Sequence, residues 1–186
     1  GANHGAFSYG HIGADLIKAV TPDATVWLSD PTWANHNAIF PAAGLKTEIY
    51  PYFDSEHSAL RFDDMMNALR NRGPGDVVLF HACCHNPCGV SPNPEQWEKI
   101  TELAAERGFT PMVDIAYMGF ERGIEEDALS VRLFAEKCPE LILASSCSKN
   151  FAVYRERVGA ISVVGSSSEK AANVLTVINS LTRQNY

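Results

Sequence analysis

The sequence predicts an α/β fold: a three-layer sandwich with a mostly parallel central sheet and helices on both faces. Three observations lead there. Short apolar runs of strand length alternate with helix-compatible segments along the chain, the pattern of repeated βαβ units. The run Val77–His81 is apolar up to its last residue, as expected of a strand covered on both faces. Trp33, Asn86, Asp114 and Lys149 each fall just after a predicted strand, and open α/β sheets carry ligands beyond the carboxyl ends of their strands.

A glycine-rich segment, Gly1–Gly10, leads into a helix-compatible stretch with Ile12, Leu16, Ile17 and Val20 on one side, ended by Thr21-Pro22-Asp23. Thr25–Ser29 is the first strand and Asp30-Pro31-Thr32-Trp33 the loop beyond it. Asn35–Ala43 reads as a short helix closed by Gly44 in a left-handed cap. Thr47–Tyr50 alternates as a second strand, and Asp54–Ser58 is a polar loop. Phe62–Arg70 is a helix carrying Met65, Met66 and Leu69, and Gly73-Pro74-Gly75-Asp76 is a turn. Beyond the third strand, Val77–His81, and the Cys83–Gly89 loop, Asn93 caps a helix with Pro94 at its first position and Gln96 at its third. Trp97, Ile100, Leu103 and Ala104 recur on that helix at helical spacing, and it stops near Gly108. Thr110–Val113 is the fourth strand, ending at Asp114. An acidic, glycine-interrupted loop leads to a helix around Val131–Lys137. Strands at Leu141–Ala144 and Ala160–Val164 and a helix from about Ser168 to Arg183 complete the series.

The chain of 186 residues is long enough for one large domain with a sizeable core. With 46% hydrophobic and 20% charged residues it reads as an ordinary globular chain. A net charge of -7 and the lack of a basic stripe argue against nucleic acid as a partner. No apolar run approaches a membrane span, so no membrane partner is expected. The cysteines, Cys83, Cys84, Cys88, Cys138 and Cys147, are odd in number and two are adjacent, which suits reduced thiols and a cytoplasmic location. Gly1 opens in a loop-like segment without an initiator methionine and Tyr186 follows at once on a helix-like run. The expectation is that residues 1–186 are a piece of a longer protein.

Lys149 is the focus of the chemistry. Held between two buried strands, a lysine is poorly solvated, its pKa falls, and its neutral amine can attack a carbonyl. Ser146, Ser148 and Arg157, which follows Lys149 by eight residues, can hold an anion such as a phosphate. Asp114 ends an apolar strand and needs a partner: a helix cap, a salt bridge, or a cationic ring nitrogen. Trp33 is either core or a stacking platform, and Asn86-Pro87-Cys88-Gly89 reads equally as a plain turn. His81, Cys83, Cys84 and His85 suggest zinc, but no second ligand pair accompanies them, and no metal is expected.

Together these segments resemble the class I aminotransferases of the aspartate and aromatic amino-acid type, pyridoxal-phosphate enzymes of fold type I. The pieces that carry the resemblance run in order: 29–36 (Ser-Asp-Pro-Thr-Trp-Ala-Asn-His), 81–89 (His-Ala-Cys-Cys-His-Asn-Pro-Cys-Gly), 114–120 (Asp-Ile-Ala-Tyr-Met-Gly-Phe), 123–127, 145–151 (Ser-Ser-Cys-Ser-Lys-Asn-Phe) and 154–159. The resemblance implies a pyridoxal 5'-phosphate-binding large domain over residues 1–186, in a homodimer that transaminates L-aspartate or aromatic L-amino acids with 2-oxoglutarate by a ping-pong mechanism. Lys149 would bond the cofactor and carry the proton; Asp114 would keep its pyridine nitrogen protonated. His36 would orient Asp114, Asn86 and Tyr117 would hydrogen-bond the ring's phenolic oxygen, and Trp33 would stack on the ring. Ser146, Ser148 and Arg157 would take the phosphate. Arg183 would reach into the partner subunit's site and bind a distal carboxylate; Trp33 and Asn86 would also meet the substrate. Cys88 replaces the family's threonine, Ala152 stands in a usual glycine place, and the family's glycine-threonine-glycine loop is not recognisable in Gly1–Gly10. The family's α-carboxylate arginine and the tyrosine it donates across the dimer lie in segments this sequence does not contain. A cofactor-binding core without turnover, or another pyridoxal-phosphate reaction, is the alternative.

Overall fold

Alternation within one strand sets the layers. In β5 (Asp76–His81), Val78 and Phe80 point into one hydrophobic cluster, while Val77 and Leu79 point into another on the opposite face. A strand buried on both sides needs a helical layer over each. The computed structural model, which describes residues 9–156 and 158–184, supplies both. The first cluster is roofed by α3 (Phe62–Leu69), α4 (Pro94–Arg107) and α6 (Leu129–Lys137), through Met65, Leu69, Trp97, Ile100 and Phe134. The second lies under α1 (Tyr9–Val20) and α2 (His36–Ala42), through Ala14, Ile17, Ile39 and Phe40. α1 sits so close to the sheet that a Cβ on Gly13 would come within 2.7 Å of Met112 Cε. The long α7 (Ser168–Gln184) packs on the outside of α1 through Ile178, against Ile12 and Leu16.

Six strands form the central sheet in the order β2-β1-β5-β6-β7-β8. The new members are β1 (Thr25–Asp30), β2 (Lys46–Pro51), β6 (Thr110–Ile115), β7 (Leu141–Ser146) and β8 (Gly159–Val164). All pairs are parallel except β7 with β8, which is antiparallel. The chain steps outward from β1 to β2, then crosses back to β5 and continues to β6 and β7. That reversal sends α2 to one face and α3, α4 and α6 to the other, and opens a crevice between the carboxyl ends of β1 and β5.

The α4 cap forms as the sequence predicts. Asn93 accepts from the Gln96 N–H at 2.8 Å, Gln96 returns the bond to the Asn93 N–H at 2.9 Å, and Gly108 closes the helix at φ +75°. Gly44 is likewise left-handed, at φ +76°.

Several expectations change. The strands run further than their apolar stretches: His81 pairs with Asp114, Ile115 with Ser145 and Ser146 with Gly159. Backbone pairing does not stop at the first polar side chain, so Asp114 and Ser146 are strand residues and not loop residues beyond a strand. The polar loop at 54–58 is the tip of a hairpin, β3 (Phe53–Asp54) with β4 (Ala59–Leu60), whose tip is tied by Asp54 accepting from the Glu56 and His57 N–H groups. The acidic loop before α6 contains a short helix, α5 (Ile124–Asp127). Lys149 does not lie between two buried strands: β8 is an edge strand without a buried residue, and Lys149 is half-buried.

Candidate functional site

At the carboxyl ends of β5, β6 and β7 the loops close around a pocket with an empty volume of about 940 Å³, its open mouth included. Its walls bring together Trp33, His36, Asn86, Asp114, Tyr117, Ser146, Ser148 and Lys149, eight of the ten residues singled out in the sequence. Arg157 lies outside the described residues, as does the Gly1–Ser8 part of the altered loop. Arg183 is exposed on α7 and does not line this pocket; it borders a separate shallow depression with Thr176, Asn179 and Ser180.

Asp114 is the anchored charge of the pocket. It sits one residue before the end of β6, its side chain one-fifth exposed, with His36 Nε2 at 3.2 Å from Oδ2. His36 is buried at the start of α2, and its Nδ1 lies 2.8 Å from Thr32 Oγ1. Thr32 Oγ1 in turn lies 3.2 Å from His81 Nε2. A carboxylate accepts only, so His36 Nε2–H donates to Asp114; in the neutral tautomer with its hydrogen on Nε2, Nδ1 accepts from the Thr32 hydroxyl. The Thr32 oxygen then accepts from His81 Nε2–H. Burial, helped by His85 and His36, pushes the His81 imidazole well below its usual range, which keeps it neutral in this chain.

A second buried set stands behind the first. The rings of His81 and His85 are 4.1 Å apart; His85 Nε2 meets Ser29 Oγ at 3.0 Å and its Nδ1 meets Cys88 Sγ at 3.1 Å. Burial holds His85 down to about 4 and raises the Cys88 thiol, so this is a neutral thiol–imidazole contact. Tyr52 stacks on His85 with centroids 4.1 Å apart and fixes the following loop by donating to the Val90 carbonyl at 2.7 Å. His81 and His85 are thereby committed to hydrogen bonds and do not join Cys83 and Cys84 as the zinc set considered from sequence.

Also in the lining, Lys149 Nζ lies 4.7 Å from the centroid of the Tyr117 ring. Tyr117 comes from the loop after β6, which is held by Asp127: this buried carboxylate accepts from the backbone N–H groups of Gly119, Glu121 and Arg122. Ser148 is buried, and its N–H donates to Ser146 Oγ at 3.2 Å. Trp33 meets His36 edge-on, with centroids 5.2 Å apart. One pocket thus offers a half-buried amine, a carboxylate held on one side only, two hydroxyls and two aromatic faces.

Thr32, His81 and Asp127 have no distinct signature as site residues in the sequence. Thr32 does stand four residues before His36, in reach across one helical turn, and that spacing could have suggested the pair.

Comparison with known proteins decides the family. The profile of the family described as aminotransferase class I and II matches residues 5–186. The chain belongs to that family. It is 46% identical to the aspartate aminotransferase of Escherichia coli K12 over 175 residues, 94% of this chain and 44% of that protein. Against the aromatic-amino-acid aminotransferase of the same strain it is 41% identical, with the same coverage of 94% and 44%. Among solved structures, an aromatic amino acid aminotransferase from Burkholderia pseudomallei covalently bound to pyridoxal phosphate superposes with a TM-score of 0.93 at 43% identity, covering 97% of this chain and 46% of that one. The chain therefore spans less than half the length of the relatives it matches. Among its described residues no helix is long and apolar enough to cross a membrane.

Proposed function

We propose that this chain is the pyridoxal 5'-phosphate-binding large domain of an aminotransferase that takes the amino group of L-aspartate or an aromatic L-amino acid and passes it to 2-oxoglutarate in a ping-pong cycle. The observation that carries the reading is the meeting of Lys149 and a histidine-held Asp114 in the lining of one pocket. The donor set suits the cofactor: an amine for its aldehyde, a carboxylate for its ring nitrogen, and hydroxyls for its phosphate.

When bound, pyridoxal phosphate supplies an aldehyde that an amine can capture and a protonated ring that withdraws electrons from the substrate's α-carbon. The remaining tasks fall to the chain. Asp114 would meet the ring nitrogen and favour its protonated form, and the His36 Nε2 contact at 3.2 Å orients the carboxylate. Lys149 would be the amine that bonds the cofactor, and its Nζ would then carry the proton between the substrate α-carbon and the cofactor. Tyr117 O–H and the Asn86 amide would donate to the ring oxygen, Trp33 would cover a ring face, and Ser146, Ser148 and Arg157 would bind the phosphate. Arg183 serves a distal carboxylate in the partner's site, which makes the working form a homodimer; the proposed location is the cytoplasm.

The test is an absorption spectrum of the protein with pyridoxal phosphate before and after aspartate or phenylalanine. A visible band that aspartate shifts and 2-oxoglutarate restores is the expected result. If Lys149→Ala gives the same spectrum as the parent, with no band beyond free cofactor, the reading fails. A band that no amino acid shifts favours the second reading, a cofactor-binding core without turnover.

A further inference from the structure

Next to the pocket, two thiols and a carboxylate converge. Cys83 Sγ, Cys84 Sγ and a Glu121 carboxylate oxygen all lie within 4.8 Å of one another. The two cysteines follow β5, and Glu121 belongs to the loop after β6. Three features hold them in place. Glu121 Oε2 accepts from the Cys84 N–H at 2.7 Å and from Ser91 Oγ at 2.9 Å, which orients the carboxylate and leaves Oε1 unused by either. The Glu121 N–H is itself bonded to buried Asp127 at 3.1 Å. Cys84 adopts φ +45°, a left-handed conformation that a side-chain-bearing residue seldom takes, so its surroundings impose the turn. Cys83 is buried with Sγ 3.4 Å from the Tyr117 carbonyl, whereas Cys84 is half-buried and Glu121 exposed, leaving a way in from solvent.

We propose that Cys83, Cys84 and Glu121 bind a thiophilic divalent cation of the zinc class in the wall of the candidate pocket. Two sulfur ligands and one carboxylate oxygen suit zinc, and a fourth, solvent-facing position is left for water. Magnesium or calcium would require an all-oxygen shell that is not present here. With Zn–S near 2.3 Å, a tetrahedral ion needs its sulfurs about 3.8 Å apart. The three side chains must therefore close by about 1 Å or less, which rotation of Cys84 and Glu121 can provide. Each thiol gives up its proton to solvent as its bond to the ion forms; nothing is oxidised or reduced. The bound ion ties the loop that carries Asn86 to the loop that carries Tyr117.

Cobalt(II) serves as the probe, titrated into the reduced protein. Thiolate coordination gives a near-ultraviolet charge-transfer band and a tetrahedral site gives visible bands. The expected result is saturation at one equivalent, with zinc displacing the cobalt. Cys84→Ser and Cys83→Ala each abolish the charge-transfer band or weaken binding at least tenfold. Glu121→Gln, at an exposed position, weakens binding tenfold while keeping the band, and Cys138→Ser changes nothing. Absence of a charge-transfer band at stoichiometric cobalt in folded protein, or cobalt affinity undiminished in Cys83→Ala or Cys84→Ser, overturns the proposal.

Discussion

His36 Nε2 stands 3.2 Å from Asp114 Oδ2, and because a carboxylate only accepts, the imidazole donates. In the neutral tautomer with its hydrogen on Nε2, Thr32 donates to His36 Nδ1 and His81 donates to Thr32. A relay through residues of β5, the loop after β1, α2 and β6 thus ends on one carboxylate oxygen.

Asp114→Ala removes the receiving end. The expected loss in transamination is about 10²–10³-fold, the usual scale for a missing preorganised charge in a dry site. His36→Leu leaves the carboxylate in place without its orienting donor, and the loss falls to about 10–100-fold. Steady-state rates of both variants, together with their pyridoxal-phosphate affinities by spectral titration, check the ranking. Equal losses would mean that His36 does more than position Asp114.

Much of this was legible in the sequence, and the exceptions share physical causes. Val77–His81 and the Asn93–Gln96 cap are local patterns, so the structure returns them unchanged. Asp114, Asn86 and Lys149 could be placed near one another because the carboxyl ends of parallel strands converge. The β3–β4 hairpin escaped because two-residue strands are shorter than any periodicity. The roles of Thr32, His81 and Asp127 escaped because each depends on a partner brought in by the fold, which no local pattern announces.

Ala152 has φ +55°, in the place where the family pattern has glycine. The methyl group there works against the backbone, at about 1–2 kcal/mol in the left-handed region, partly offset by the greater freedom of glycine in the unfolded chain. Ala152→Gly is therefore expected to stabilise by about 0.5–1 kcal/mol, read as a higher urea midpoint. A lower midpoint would show that the methyl contact outweighs the backbone cost.

Phe134 is fully buried between Phe80, with centroids 5.2 Å apart, and Trp97, at 6.1 Å. It joins α6 to α4 and the sheet on the face away from α1. Phe134→Ala is expected to cost about 3–5 kcal/mol by opening a cavity there. Urea denaturation followed by tryptophan fluorescence measures it, since Trp97 lines the same space.

Cys138 is buried at the end of α6, and burial pushes its thiol up to about 11. At pH 8 it is overwhelmingly the thiol form, so alkylation should spare it in the folded protein and reach it in urea. Peptide mapping after iodoacetamide treatment distinguishes the two. Rapid labelling of native Cys138 would mean that the α6–β7 corner opens far more readily than its packing suggests.

The pocket draws its lining from Trp33 on one side of the sequence to Lys149 on the other, with β1, β5, β6 and β7 all required to bring them together. No half-formed sheet can present that lining. Any small molecule that fills it consequently rewards only the completed topology, by about 2.7 kcal/mol at a hundred times its dissociation constant. The cofactor supply of the cell then acts as a folding ligand, and starvation for it would show as proteolysis of the chain as well as loss of activity.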